Sequence, residues 1–387
     1  MALTPLPHGP SVTRKTQVSI ALTGSKNTPW GIVATAPDAG AAFPIGQAVL
    51  VDDLDAALKA AGADGTLRPS LEAIAAFGRS IGVVVVVAEG EGEDEAEIAA
   101  DQNAKVIVGL EALRRAEQAT GVQPLILAAP GLATQPVTVA LETILNLQDS
   151  FGYARAIGDT PPQLDAYRSG FSGRGLMLLD DLDFLAFDTV TKADAPRFID
   201  AVAVGMRAWL DREVGYHKTI SNVAIPGVTG ITRFRSWELG SADTEMGLIN
   251  GVPVTGVIRR NGFRFWGQRT CSDDPRFAFE SIVRTDQHVR RVIIEGVFPY
   301  IDQPLSPSLA RDIIESINAL GRREKQEGRL AGMEAYLAQG NTPDQLALGR
   351  LRLGYRWTGY APLEDLGIEN VMTDEFLIDF AQLAEAA

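Results

Sequence analysis

The segment NGFRFWGQRTCSDDPRFAFESIVR, residues 261–284, concentrates aromatic side chains far beyond the 7% of the whole chain. Phe263, Phe265 and Trp266 fall within four residues, a polar stretch 270–275 follows, and Phe277 and Phe279 then open a helical run. No nucleophile–base pair, phosphate loop or metal-ligand spacing accompanies them. The density therefore reads as packing. Phe263, Phe265 and Trp266 are expected to fix a sheet against a helix, with Arg269, Asp273 and Asp274 as a buried polar clasp.

Around this segment the chain has the balance of a folded protein. Its 387 residues are enough for two or three packed units, and 46% are hydrophobic against 22% charged. The net charge of −14 argues against nucleic acid as a partner, because phosphate binding needs a basic face; it is accounted for by solubility. Cys271 is the single cysteine, so no disulfide forms within the chain. Asp273 and Asp274 beside it disfavour a thiolate, and a small buried hydrophobe is the better reading. The opening MALTPLPHGPSVTRKTQ carries prolines where a signal peptide needs an apolar core. The longest apolar run, 81–88, is too short to span a bilayer. These features lead us to expect a soluble protein made in the cytoplasm, without direct membrane contact.

Outward from the aromatic segment, strands and helices alternate. Residues 1–17 hold Pro5, Pro7 and Pro10 and read as an extended arm, followed by a strand at 17–23 carrying Val18, Ile20 and Leu22. Strands are expected at 30–35, 48–51, 81–87, 124–129, 153–157 and 176–179. Helices are expected between them at 53–61, 70–77, 110–120, 137–148 and 162–170, with a long one at 195–214. Five consecutive valines, 83–87, mark a strand buried on both faces. Residues 89–97 read as an acidic solvated loop. This rhythm implies a parallel α/β sheet with right-handed crossovers. Helices follow at 277–297, with Arg284, His288 and Arg291 on one face, and at 309–325. Residues 350–358 alternate, with Leu351, Leu353, Tyr355 and Trp357 on one side, and 368–372 is the expected antiparallel partner.

Two polar features admit more than one reading. His217, one of three histidines, could be structural, or could serve an α/β hydrolase-like enzyme together with a serine; the G-x-S-x-G elbow is absent. Arg322, Arg323, Lys325 and Arg329 complement a helix C-terminus, or form a basic patch for an acidic protein partner.

RRNGFRFWGQRTCSDDPRFAFE, residues 259–280, closely resembles the signature segment of the contractile tail sheath proteins of phages and R-type bacteriocins. GYHKTISNV (215–223), GVTGI (227–231), DFLAFDT (183–189), LARDIIESIN (309–318) and TDEFL (373–377) resemble further segments of that family; Gln268 stands where the family usually has Asn. The resemblance implies a multidomain α/β and α+β fold. An N-terminal arm (1–24) would precede a small α/β domain (25–100) and a central subtilisin-like α/β domain without protease residues (101–275). A C-terminal α+β lattice domain (276–372) and a C-terminal arm (373–387) would follow. It implies a structural subunit, not an enzyme, with no cofactor or metal, that stacks as hexameric rings around an inner tail tube. Contraction would drive the tube through a cell envelope. Its partners would be itself, the tube protein, and the baseplate and tail terminator proteins, in a particle assembled inside the bacterial host. Val18, Ile20, Leu22, Phe376, Ile378 and Phe380 would be arm residues lent as strands to the edge carrying Leu351, Leu353, Tyr355 and Trp357. Arg322, Arg323, Lys325 and Arg329 would face the tube.

Overall fold

The structure, a computed structural model, describes Leu22, residues 28–188 and residues 191–374. The expected arm residues Val18, Ile20, Phe376, Ile378 and Phe380 lie outside these.

The first unit of the chain runs β1 (Trp30–Thr35), β2 (Ala48–Val51), α1 (Leu54–Ala60), α2 (Leu67–Ala75) and β3 (Gly82–Val87). It continues with α3 (Glu95–Arg114), α4 (Ala116–Thr120), β4 (Ile126–Ala128), α5 (Gln135–Gln148), β5 (Phe151–Arg155), α6 (Pro161–Arg168) and β6 (Leu176–Leu179). Three strands, β7 (Asp183–Asp188), β8 (Ala193–Phe198) and β9 (Val228–Ile231), surround α7 (Ile199–Glu213); α8 (Glu245–Gly251), β10 (Val254–Arg259) and β11 (Phe263–Trp266) follow. The C-terminal part holds α9 (Glu280–Val297), α10 (Pro307–Gln326), β12 (Leu330–Leu337), α11 (Pro343–Ala347) and β13 (Leu353–Gly359).

Eight strands form the main sheet in the order β11-β10-β6-β5-β4-β1-β3-β2. From β10 to β3 they run parallel, and β2 and β11 close the two edges antiparallel. The valine run explains why this sheet is a central layer. Val84 and Val86 enter one core with Trp30, Ile32 and α7, while Val83, Val85 and Val87 enter the other with α3 and α5. A strand buried on both faces needs no alternation, so every residue of β3 is apolar or glycine.

Several expectations are corrected. The boundary at 100–101 falls inside α3, and strands from both sides of it share the one sheet, so 25–100 is no separate layer. The acidic stretch 89–97 is a loop only to Asp94, whose side chain caps α3 by accepting from the Glu97 amide. Glu95 and Glu97 then sit in the first turn, where the helix dipole favours them. α2 starts three residues before the expected Ser70, with Pro69 inside its first turn. The long helix begins at Ile199, because 193–198 is β8 in a three-stranded antiparallel sheet of order β8-β7-β9. β13 pairs with β12, in register Leu337↔Leu353, Ala335↔Tyr355 and Met333↔Trp357. The expected partner 368–372 forms no strand, and Ile368 is 81% exposed.

Candidate assembly interface and the join that stiffens it

The aromatic segment packs by strand alternation. In β11, Phe263 and Phe265 point into the core under α7, and Phe265 meets Phe184 edge-on at 5.7 Å. Trp266, on the opposite face, meets Trp237 at 5.5 Å and is only half-buried. Cys271 is buried in that second core, and burial pushes its thiol up to about 12, which leaves it a neutral packing group.

The clasp, however, is not made by the residues the sequence suggested. Asp273 is exposed, and Asp274 caps the short turn Pro275–Phe277 and pairs with the exposed Arg276. Arg269 lies over Phe279 and donates to Glu364, at 2.9 Å from Nε and 2.5 Å from Nη2, at the surface. The buried clasp is Glu280, the first residue of α9, with no exposed surface. Its carboxylate accepts from Arg207 at 3.2 Å, Thr219 Oγ1 at 2.9 Å, the Ile220 amide at 3.1 Å and the Tyr153 hydroxyl.

Arg207 also donates to the Gly215 and Lys218 carbonyls and pairs with Asp211 at 2.7 Å; Asp211 in turn pairs with Arg284. Burial alone would raise the Asp211 carboxyl, but Arg207 and Arg284 outweigh it and hold it below its ordinary value. Burial pushes the Tyr153 hydroxyl well up, and Glu280 adds to this, so Tyr153 stays a donor. Two guanidinium groups and two carboxylates thus balance, tying β5, α7, the 215–220 turn and α9 together. Glu280 and Arg284 stand four residues apart on the helical face that carries the noted Arg284, His288 and Arg291, so a polar stripe was legible there. Its partners in α7 and β5 were not.

A second buried carboxylate, Glu324 near the end of α10, joins the C-terminal part to the same turn. It accepts from the Tyr216 hydroxyl at 2.8 Å and pairs with Arg323 at 3.0 Å and Arg329 at 3.1 Å. These hydrogen bonds overcome burial and keep its carboxyl low. Tyr216 stacks on His288 at 3.9 Å, and burial drives the His288 imidazole down to about 4. Of the basic cluster, Arg323 and Arg329 therefore face inward, and Arg322 pairs with Glu315 at the surface. Lys325 is exposed, with no ion pair among the described residues. His217 is lowered by burial, and its Nδ1 has no hydrogen-bond partner among the described residues. The hydrolase reading therefore finds no paired serine there. Among the described residues no cluster of His, Cys, Asp or Glu could hold a metal ion, and no helix is long and apolar enough to cross a membrane.

Leu353, Tyr355 and Trp357 pack from β13, and Leu351 from just before it, against the C-terminal core of Val289, Ile317 and Leu320. β12 is braced by Asn318 of α10, which accepts from the Ala335 amide at 2.8 Å. The other edge of β13 pairs with no strand among the described residues. An open edge of this kind is a template for an added strand.

The described residues form an α/β body bearing a small two-stranded sheet with an open edge, a geometry that can accept a strand from another chain. No family model matches the chain. It is 41% identical over 359 residues to the tail sheath protein of Escherichia phage P2, covering 90% of each chain. It is 34% identical over 378 residues to the major tail sheath protein of Serratia phage KSP20, covering 95% of this chain and 96% of that one. Its fold matches the sheath of an extracellular contractile injection system in the contracted state, with a TM-score of 0.71 at 16% identity over 96% of this chain and all of the other. The chain belongs to the tail sheath protein family.

Proposed function

We propose that this chain is the non-enzymatic building block of a contractile sheath, stacking as hexameric rings around an inner tube and driving that tube through a cell envelope on contraction. The observation that carries it is the kinship over nine-tenths of the chain with proteins named tail sheath. The open β13 edge supports joints made by lent strands, with residues 1–17 and 373–387 as the arms. An added strand contributes about five backbone hydrogen bonds at ~1 kcal/mol net each, a joint that survives rigid-body movement of the bodies it links. The mostly parallel sheet agrees with a subtilisin-like central domain, and the separate C-terminal core with a lattice domain beginning near 276. Baseplate, tube and terminator proteins are its other partners, in a tail assembled within a bacterial host. The tube-facing patch narrows to Arg322 and Lys325, since Arg323 and Arg329 are engaged by Glu324. A screened, breakable contact suits a tube that must slide.

The test is negative-stain microscopy of the full chain. Striated hollow tubes are expected, and deletion of 1–17 or 373–387 is expected to abolish them while far-UV circular dichroism stays unchanged. Monodisperse monomers at all concentrations, or hydrolase activity dependent on His217, would overturn the reading.

A further inference from the structure

Leu22 stands apart from the other expected arm residues. It is 3% exposed and sits in the C-terminal core with Val289, Val292 and Ile293. Its seat is shaped by Gly296 of α9: a Cβ there would come within 2.0 Å of Leu22 Cδ2. Glycine is a poorer helix former than alanine, so the position gives up some helix stability to make the seat. Arg323 closes it from the other side. Its Nη1 donates to the Leu22 carbonyl at 2.7 Å, while its Nη2 is held at 3.0 Å by the buried Glu324.

We propose that Leu22, Gly296 and Arg323 form the fixed anchor of the N-terminal arm, so that only the residues before Leu22 are lent to a second copy of this chain. This rests on the reading above that the arm is lent. Leu22 is therefore a residue that stays at home, and Arg323 is a positioning residue acting through the Leu22 backbone. The geometry sets the reach. Twenty-one extended residues, as many as stand before Leu22 here, span about 70 Å. A compact body of this length is about 55 Å across, so an arm fixed at Leu22 reaches past its own subunit to a neighbour. Anchoring also removes the entropy of a longer free tether, which raises the arm's effective concentration at one neighbouring edge.

The test is trypsin digestion of the full chain, comparing cleavage after Lys15 with cleavage after Lys26. Lys26 lies between Leu22 and Thr28–Pro29, and the Pro29 carbonyl accepts from the Leu125 amide at 2.7 Å. Proteolysis needs a longer stretch to open locally. In the wild type, cleavage after Lys26 is expected to be at least tenfold slower than after Lys15. Gly296→Leu fills the seat with its own side chain and favours the helix. It is expected to raise Lys26 cleavage at least tenfold without lowering Tm, and Arg323→Gln to raise it by a smaller factor. Equal rates at both lysines in the wild type, or an unchanged Lys26 rate in Gly296→Leu, would overturn the anchor. Microscopy of the same samples keeps the two questions apart: wild-type protection at Lys26 without any tubes would overturn arm lending and leave the anchor standing.

Discussion

Replacing Glu280 by Gln keeps the shape of the buried clasp and removes its charge. In the wild type Glu280 and Asp211 balance Arg207 and Arg284 with none of the four more than 4% exposed at the side chain. After the change one positive charge is left over in a site closed to solvent. Whichever way the new amide turns, its NH2 group faces a donor, the Ile220 amide on one side or Arg207 on the other. Removing one member of a buried pair costs about 3–5 kcal/mol. At about 2.1 cal/mol/K per residue, unfolding 387 residues carries roughly 0.8 kcal/mol/K, so Tm falls by about 4–6 °C if the body melts in one step. The assay is differential scanning calorimetry of Glu280→Gln, Arg207→Met and the double variant. The double variant leaves Asp211 paired with Arg284, a neutral remainder. It is expected to cost at least ~2 kcal/mol less than the sum of the singles. Recovery stays partial, because the Gly215 and Lys218 carbonyls lose their donor. A cost under about 1 kcal/mol for Glu280→Gln, or strict additivity, would refute the idea of a balanced clasp.

Other consequences are simpler to read. Phe265→Ala, at a fully buried ring, is expected to cost about 3–5 kcal/mol, and Trp266→Ala less, because Trp266 is half-buried; urea melts of both variants check the order. His288 is held neutral, with its value lowered to about 4 from an unfolded value near 6.5. The unfolded chain therefore binds the extra proton first, and stability contributed by this site falls as pH drops from about 6.5 to about 4. His288→Phe keeps a ring on Tyr216 and is expected to flatten the Tm-versus-pH curve in that window. Arg269→Ala breaks a pair that is about 40% exposed on both sides, so it is expected to change Tm by less than about 1–2 °C. Proteolysis between 360 and 374 is expected to quicken in the same variant, since Arg269 holds Glu364 against the body.

What could be read from the sequence follows from how far each signal reaches along the chain. β1, β2 and β6 occupy the spans that their apolar residues mark, because a strand's face is written by neighbours two residues apart. α1 and α4 stop just short of Gly62 and Gly121, both at positive φ, in keeping with the expected helix ends at 61 and 120, and Cys271 could be read as buried because the neighbouring Asp273 and Asp274 disfavour a thiolate. The long aromatic motif at 259–280 sufficed for the family. The three-stranded sheet was not legible because β8 holds Pro196 and the charged Asp194 and Arg197, lies on a sheet edge, and blends into the helix that follows. β12 was not legible because its mixed pattern of buried, half-buried and exposed residues shows no clean alternation.

The clasp shows the limit most clearly. Arg269, Asp273 and Asp274 are near the aromatic rings in sequence; Glu280 and Tyr153, 127 residues apart, meet only because β5 passes under α9. Likewise Arg323 looked like surface charge, yet it closes on the Leu22 carbonyl 301 residues away. Local periodicity set the strands, helices and aromatic join, because side-chain direction repeats with the backbone. Which charges are buried in pairs, and where the arm is fixed, was settled only in the tertiary structure, because a buried charge is stable only beside a partner brought in by the fold.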